Sequence, residues 1–427
     1  MTEVGIELMR LVEADDFRET LIHACDRAPA TTMILGVGVE DQAVYLECRD
    51  GRVHDAPGAT VAPGCLTKLL TGALAIHTLQ DRGLSLDLPI ARLVGIDGMG
   101  SERLRLSHLL NHTHGLDTTT SELRLQPDGA VDTPWLARQL CEPRRIAEPG
   151  ALHSYANASA WLTAALIEAI SGNTFTHGVM TELFRDADLD DGHPRLRAGE
   201  STMCAATGRG LEISASTFLG FLKSFWRGSA RGEGLAGMEA VTLPGWSGTE
   251  LGLVGGWKTF GDGWLGHSSV QRAGNGLVRI HPERRIALFV CSPDQACGTA
   301  AVALFGRQLS SLVPARLPRL LPDGAAERSS YLGVFEVAAT RIFVEEDGEG
   351  GLRMRVFRRS GAGLESQPLH VCSLRAAADH LFYTRPVHPE LFPYIQFVGG
   401  ARPFEYLWNG KGLWRRAEGA QDTTQPQ

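Results

Sequence analysis

Pro63-Gly64-Cys65-Leu66-Thr67-Lys68 is the stretch on which the reading of this chain turns. A helical pattern begins at Cys65, with Leu66, Leu69, Leu70, Ala73 and Ile76 at helix spacing, and it ends near Gly83. Cys65 therefore stands at a helix start, where unpaired backbone N–H groups and the helix dipole favour an anion. Lys68 follows by one turn on the same face, within reach of the thiol, and both influences favour the thiolate. Taken alone, the four residues from Cys65 to Lys68 also fit an inert buried cysteine beside a surface lysine. Two further signals follow in order: Tyr155-Ala156-Asn157 after Pro149-Gly150, and Gly266-His267-Ser268-Ser269 ahead of a strand-like run.

Outward from Cys65, Met33–Val39 and Ala43–Cys48 read as two strands joined at Glu40-Asp41-Gln42. The segment 104–111 offers Ser107 as a helix N-cap, and a helix from about Ser159 to Ile170 stops at Gly172. The stretch 175–250, rich in Gly, Asp and Arg, shows no clear pattern. Leu277–Ile280 and Ile286–Cys291 form a hairpin around His281-Pro282-Glu283. Strands at both ends with helices between predict one sheet closed by the two ends of an α+β domain. Pro314, Pro318 and Pro322 mark a linker over 313–327, after a first domain of 1–312. Short β-like pieces then define a small antiparallel β domain over 328–417, and the tail 418–427 reads as disordered.

These blocks resemble the serine β-lactamase and penicillin-binding protein superfamily. Gly64-Cys65-Leu66-Thr67-Lys68 is similar to its Ser-x-x-Lys motif, with cysteine in place of the nucleophilic serine. The run from Leu106 to Leu116 is similar to its helix-and-turn stretch, and Tyr155-Ala156-Asn157 to the Tyr-x-Asn block of the class C branch. The resemblance covers roughly 30–310. It implies a five-stranded antiparallel sheet flanked by helices, an all-helical region and, after it, a lipocalin-like β-barrel module. It implies Cys65 as nucleophile, with Lys68 and Tyr155 moving the proton and Asn157 bonding the substrate. The backbone N–H of Cys65 and that of Val270 would form the oxyanion hole.

The third block departs from the family pattern of Lys-Thr-Gly or His-x-Gly. Here it reads His267-Ser268-Ser269, and a side chain at Ser269 would narrow the cleft or remove an anion-binding contact. Trp257-Lys258-Thr259-Phe260 is a competing register; the strand pair that follows Gly276 favours His267. His108, His112 and His114 resemble a metal cluster, but they fall in the structural stretch, with no carboxylate or cysteine ligand nearby, and read as packing or hydrogen-bonding residues.

A net charge of −8 over 427 residues provides no basic face for nucleic acid or anionic lipid. The acidic N-terminus lacks the form of a secretory signal, and no apolar run reaches the roughly 18 residues of a membrane span. The expectation is a cytoplasmic protein with reduced thiols; the eight scattered cysteines suggest neither zinc nor disulfides. No cofactor is expected. A Cys65 acyl-enzyme would be a thioester, which reacts with amines far more readily than oxygen esters do, relative to water. The chain is thus expected to pass an acyl group from a small-molecule ester or amide donor to an amine acceptor without ATP, in natural-product assembly. A hydrolase of small esters or amides using the same residues is the alternative. A third possibility is a β-lactamase-fold protein that only binds a ligand or partner.

Overall fold

The computed structural model describes residues 2–25, 32–93, 103–117, 145–184, 194–197, 205–208, 210–226, 228–247, 250–271, 274–293, 321, 328–360, 363–377, 380–385, 394–400, 403–409 and 412–417. The linker over 313–327, apart from Leu321, and the tail 418–427 lie outside these residues.

The first domain is built on nine antiparallel strands: β1 (Met33–Val39), β2 (Gln42–Arg49), β3 (Arg52–Asp55), β4 (Val241–Ser247), β5 (Glu250–Val254), β6 (Trp257–Thr259), β7 (Leu265–Gln271), β8 (Gly274–His281) and β9 (Ile286–Ser292). Their order is β3-β2-β1-β9-β8-β7-β6-β5-β4. The five strands β2, β1, β9, β8 and β7 form the expected antiparallel core, and four more extend it at both edges. Central strands β1 and β9 are buried at every position, because helices cover both faces. Gly36 on β1 has no side chain because a Cβ there would run into the Phe289 ring on β9.

One face packs against α1 (Glu3–Glu13) and α2 (Asp15–Cys25), where Leu8, Val12, Phe17 and Leu21 meet Leu35, Val37 and Leu288. The other face packs against α3 (Thr67–Asp81), α5 (Asn157–Ser171) and α6 (Ala215–Lys223), with Leu70, Leu162, Phe218 and Phe289 in one apolar core. Between these lies α4 (Leu106–Leu110), which begins one residue ahead of the expected cap: Ser107 is inside the helix. Arg105 precedes the helix, and its N–H donates to His108 Nδ1 at 3.2 Å. Gly172 ends α5 in the left-handed conformation at φ 76°, as its position in the sequence suggests.

The C-terminal module is a closed antiparallel barrel of eight strands, with a two-residue strand, Gly363–Leu364, paired onto the end of the third: β10 (Gly333–Val337), β11 (Thr340–Glu346), β12 (Leu352–Ser360), β13 (His370–Ala376), β14 (Leu381–Arg385), β15 (Tyr394–Val398), β16 (Tyr406–Trp408) and β17 (Leu413–Arg416). The last strand pairs back onto the first through Phe335 and Arg416, which removes the free edges. Phe335, Ile342, Met354, Val356, Phe382, Phe397 and Leu407 fill its interior. Its outer surface packs on the first domain: Val398, Trp408 and Leu413 join Ile146, Ala147, Leu243 and Leu253 in a shared apolar cluster. Among the described residues, no helix is long and apolar enough to cross a membrane.

Candidate active site

Cys65 sits in a short 3-10 turn, Gly64–Leu66, that leads directly into α3. Gly64 has φ 56°, which glycine adopts without strain, and Gly208 lies so close to its carbonyl that a Cβ there would collide with it. The turn packs against β7, leaving Cys65 only 9% exposed. The cysteine therefore has a fixed backbone and a small window to solvent.

Two expected partners converge on it. Tyr155, just ahead of α5, hydrogen-bonds the Cys65 sulfur. Burial raises the phenol pKa well above its ordinary value, and the Cys65 charge and that hydrogen bond raise it further, so Tyr155 holds its proton at neutral pH. Lys68 is buried, its Nζ donates to Asn157 Oδ1 at 2.8 Å, and it lies 5.0 Å from the Tyr155 ring centroid. The first residue of α5, Asn157, thus fixes the Lys68 ammonium, a role that precedes any contact with substrate.

On β7, side chains alternate. His267 and Ser269 share the face of their partners Val278 and Gly276, whereas Ser268 is paired with Leu277, which packs toward α1 and α2. The His267 ring centroid is 6.2 Å from that of Tyr155, and its Nδ1 is 2.9 Å from the Ser268 carbonyl. Ser269, 2% exposed, accepts a hydrogen bond from the Cys65 N–H at 3.0 Å. Val270 continues the strand opposite Asn275. The structure thus brings Cys65, Lys68, Tyr155, Asn157, His267 and Ser269 to one locus and sets Ser268 on the other side of the strand. The competing register is occupied elsewhere: Trp257 is in the core, and Lys258 Nζ pairs with Glu250 at 2.6 Å.

Behind Tyr155 lies a buried polar layer whose extent sequence reading misses. His112 adopts φ 53°; its ring is 4.4 Å from that of Tyr155, and its Nδ1 is 2.7 Å from Ser159 Oγ. Burial, then the charges of His153 and Lys68, pushes its pKa well down and leaves it neutral. His114 Nδ1 accepts the Leu116 N–H at 3.0 Å; burial and then Arg145 lower its pKa to about 4. His153, lowered to about 3 by burial and then Lys258, has no hydrogen-bond partner for either ring nitrogen among the described residues. Its ring centroid is 6.0 Å from that of His112 and 6.1 Å from Trp408 of the barrel. Asn111 Oδ1 accepts the Gly256 N–H at 3.2 Å, tying this layer to the turn between β5 and β6. The only advance sign of the layer was the density of histidines in 108–114. Among the described residues, no group of three metal-type ligands forms. A cavity of about 1030 Å³ lies along the far end of α3, lined by Ala73, Ile76, His77, Phe221 and Arg231 among others, and none of the site residues lines it.

A family model described as Beta-lactamase matches residues 57–301. No curated protein sequence matches. The crystal structure of SurE with D-Leu is similar over 94% of this chain and 99% of its own, with 21% identity and a TM-score of 0.73. The β-lactamase/D-alanine carboxypeptidase from Pseudomonas syringae shares 13% identity over 69% of this chain and 99% of its own, with a TM-score of 0.55. The D-amino acid amidase from Ochrobactrum anthropi SV3 complexed with L-phenylalanine amide shares 14% identity over 69% of this chain and 98% of its own, with a TM-score of 0.53.

Proposed function

This chain belongs to the β-lactamase family, and on that footing we propose that it transfers an acyl group from an ester or amide donor to an amine through a covalent thioester at Cys65. The observation that carries the reading is Lys68 Nζ held on Asn157 Oδ1 at 2.8 Å and 5.0 Å from the ring of Tyr155, the phenol on which Cys65 acts. The sulfur bonds to the acyl carbon as the bond to the leaving group breaks, and the leaving group takes the Tyr155 proton. Acylation neutralises the sulfur, which removes the charge that helped to hold the phenol up, while Lys68 lies over the same ring. The incoming amine then bonds to the acyl carbon, gives its proton to Tyr155 and releases the thiolate. Water can take the amine's place, and hydrolysis is the second reading; the intrinsic preference of thioesters for amines favours transfer.

The names of the structural neighbours refine the donor. One was crystallised with D-Leu, and two others are a D-alanine carboxypeptidase and a D-amino acid amidase. An acyl group whose reacting residue is D-configured is the class we assign. Assembly of natural-product peptides in a reducing cytoplasm, where a thiol nucleophile persists, suits such chemistry.

Activated esters of N-acetylated D- and L-amino acids, followed by intact-mass analysis with and without an amine, test the proposal. A D-selective adduct at Cys65 that discharges to the amine is expected, and Cys65→Ala should abolish it. Discharge in buffer at a rate the amine does not change would establish a hydrolase. No adduct with any ester would leave only a binding protein.

A further inference from the structure

The Cys65 backbone N–H is the donor that an acyl oxygen would need as negative charge develops on it. That donor is already engaged. Ser269 Oγ accepts it at 3.0 Å, reaching across 204 residues of sequence. Ser269 is 2% exposed and projects from β7 on the same face as His267. A glycine here would leave the N–H open; serine is the smallest residue that introduces both a Cβ and an acceptor. That bond helps to hold the rotamer of Ser269, whose χ1 has two other staggered wells.

We propose that Ser269 gates the oxyanion site: its hydroxyl occupies the acceptor position on the Cys65 N–H in the resting protein and swings aside when an acyl donor binds. The inference rests on the reading of Cys65 as an acylated nucleophile. No bond to Ser269 forms or breaks in the reaction; the residue exchanges one hydrogen bond for another. Binding of the donor's remote groups must drive that exchange, so the gate favours donors that fill the cleft over small reactive esters.

Ser269→Gly and Ser269→Ala, alongside the unaltered protein, would be treated with p-nitrophenyl acetate and with the p-nitrophenyl ester of N-acetyl-D-leucine, measuring nitrophenol release and the Cys65 adduct. Alkylation by iodoacetamide, which needs no oxyanion donor, reports whether the thiol and its surroundings are intact. The gate predicts that both variants acylate faster, on the order of tenfold with acetate, which is part of the 10²–10³ that one oxyanion donor is worth. The gain should be smaller with the D-leucyl ester, and the alkylation rate should stay unchanged. Equal acylation rates would make the Ser269 bond incidental. Slower acylation with unchanged alkylation would mean that the hydroxyl donates to the oxyanion; either result overturns the gate. If the acyl adduct survives in Cys65→Ala, or forms in none of the proteins, the nucleophile reading fails with it. An adduct that forms equally in all but Cys65→Ala removes the gate alone.

Discussion

Asn111, His112, Thr113, His114, His153 and Ser159, all buried beside Tyr155, are polar, whereas the buried interior of the barrel is Phe335, Phe382, Phe397, Phe404 and their aliphatic neighbours. Both regions exclude water to the same degree and with opposite materials. Burying polar groups costs free energy unless each finds a partner. The layer behind Tyr155 meets that cost partly through bonds such as His112–Ser159 and Asn111–Gly256, and partly by keeping its histidines neutral. The apolar cluster inside the barrel carries no such cost, although Thr384 and Gln396 are buried on its strands. Its rings pack edge to face or stacked, as Phe335 on Phe397 at 5.6 Å and Tyr331 on Phe404 at 5.5 Å. A filled interior is a poor ligand cup; on its outside the barrel meets the first domain, where Trp408 approaches His153 and Val398 joins Ile146. The first domain buries polar groups beside its candidate site, and the barrel packs against that layer through Trp408.

The strongest way to break this contrast is to hollow the barrel. Phe397 touches the rings of Tyr331, Phe335, Phe382 and Phe404, so Phe397→Ala leaves a cavity walled by aromatic rings. The expected loss is roughly 3–5 kcal/mol. Hydrogen exchange followed by mass spectrometry should show it first in β10 to β17, with protection retained in α3 and α5 and with Cys65 still acylated. Loss of acylation at a temperature where the barrel remains protected would mean that the barrel interior is part of the site.

Acid should do the reverse. His114 and His153 have folded pKa values of about 4 and about 3, both below the 6.5 of the unfolded chain. The unfolded state therefore takes up protons first as pH falls. The stability these groups preserve is complete above about pH 7 and is lost as pH drops through 6.5 toward their folded values. At pH 5 each should cost roughly 2 kcal/mol relative to pH 7. Exchange at pH 5, corrected for the intrinsic rate, should rise around 112–117 and 145–159 more than within the barrel. His153→Asn should flatten that slope. A uniform loss in both regions would erase the distinction.

Much of this contrast was legible in the sequence and some of it could not be. Leu66, Leu69, Leu70 and Ala73 repeat at helix spacing, and α3 follows. Gly172 is placed to end α5 and does so. The short strands of the barrel alternate and are separated by turn residues, which is a local signal. Tyr155 and Asn157 stand out because proline, glycine and a helix start frame them. By contrast, the Ser269–Cys65 bond joins positions 204 residues apart, and no local pattern encodes it. His153 reads as an ordinary loop histidine until the fold places Trp408 against it. Strands β4 to β6 were obscured by Gly252, Gly255 and Gly256, which the sheet edge uses for close approach and for positive φ. Tertiary contacts decided each of these.

The smallest expected effect tests whether the two regions act on one another at all. Asp117 is buried at the end of the polar layer, and both its carboxylate oxygens accept the Ala338 N–H, each at 3.1 Å, from the turn between β10 and β11. This is a charge-assisted contact between the domains, separate from the apolar cluster around Trp408. Asp117→Ala removes the acceptor without adding volume and should cost about 1–2 kcal/mol. The measurement is hydrogen exchange of 333–346 and of 145–153 in the same protein. If the carboxylate couples the regions, both segments should exchange roughly tenfold faster, since about 1.4 kcal/mol corresponds to a factor of ten, and Cys65 acylation should slow because the wall under Tyr155 loosens. If only 333–346 responds, the barrel is tethered at Asp117 but braced elsewhere. The apolar cluster of Val398, Trp408 and Leu413 with Ile146, Ala147, Leu243 and Leu253 would then carry the mechanical link between them.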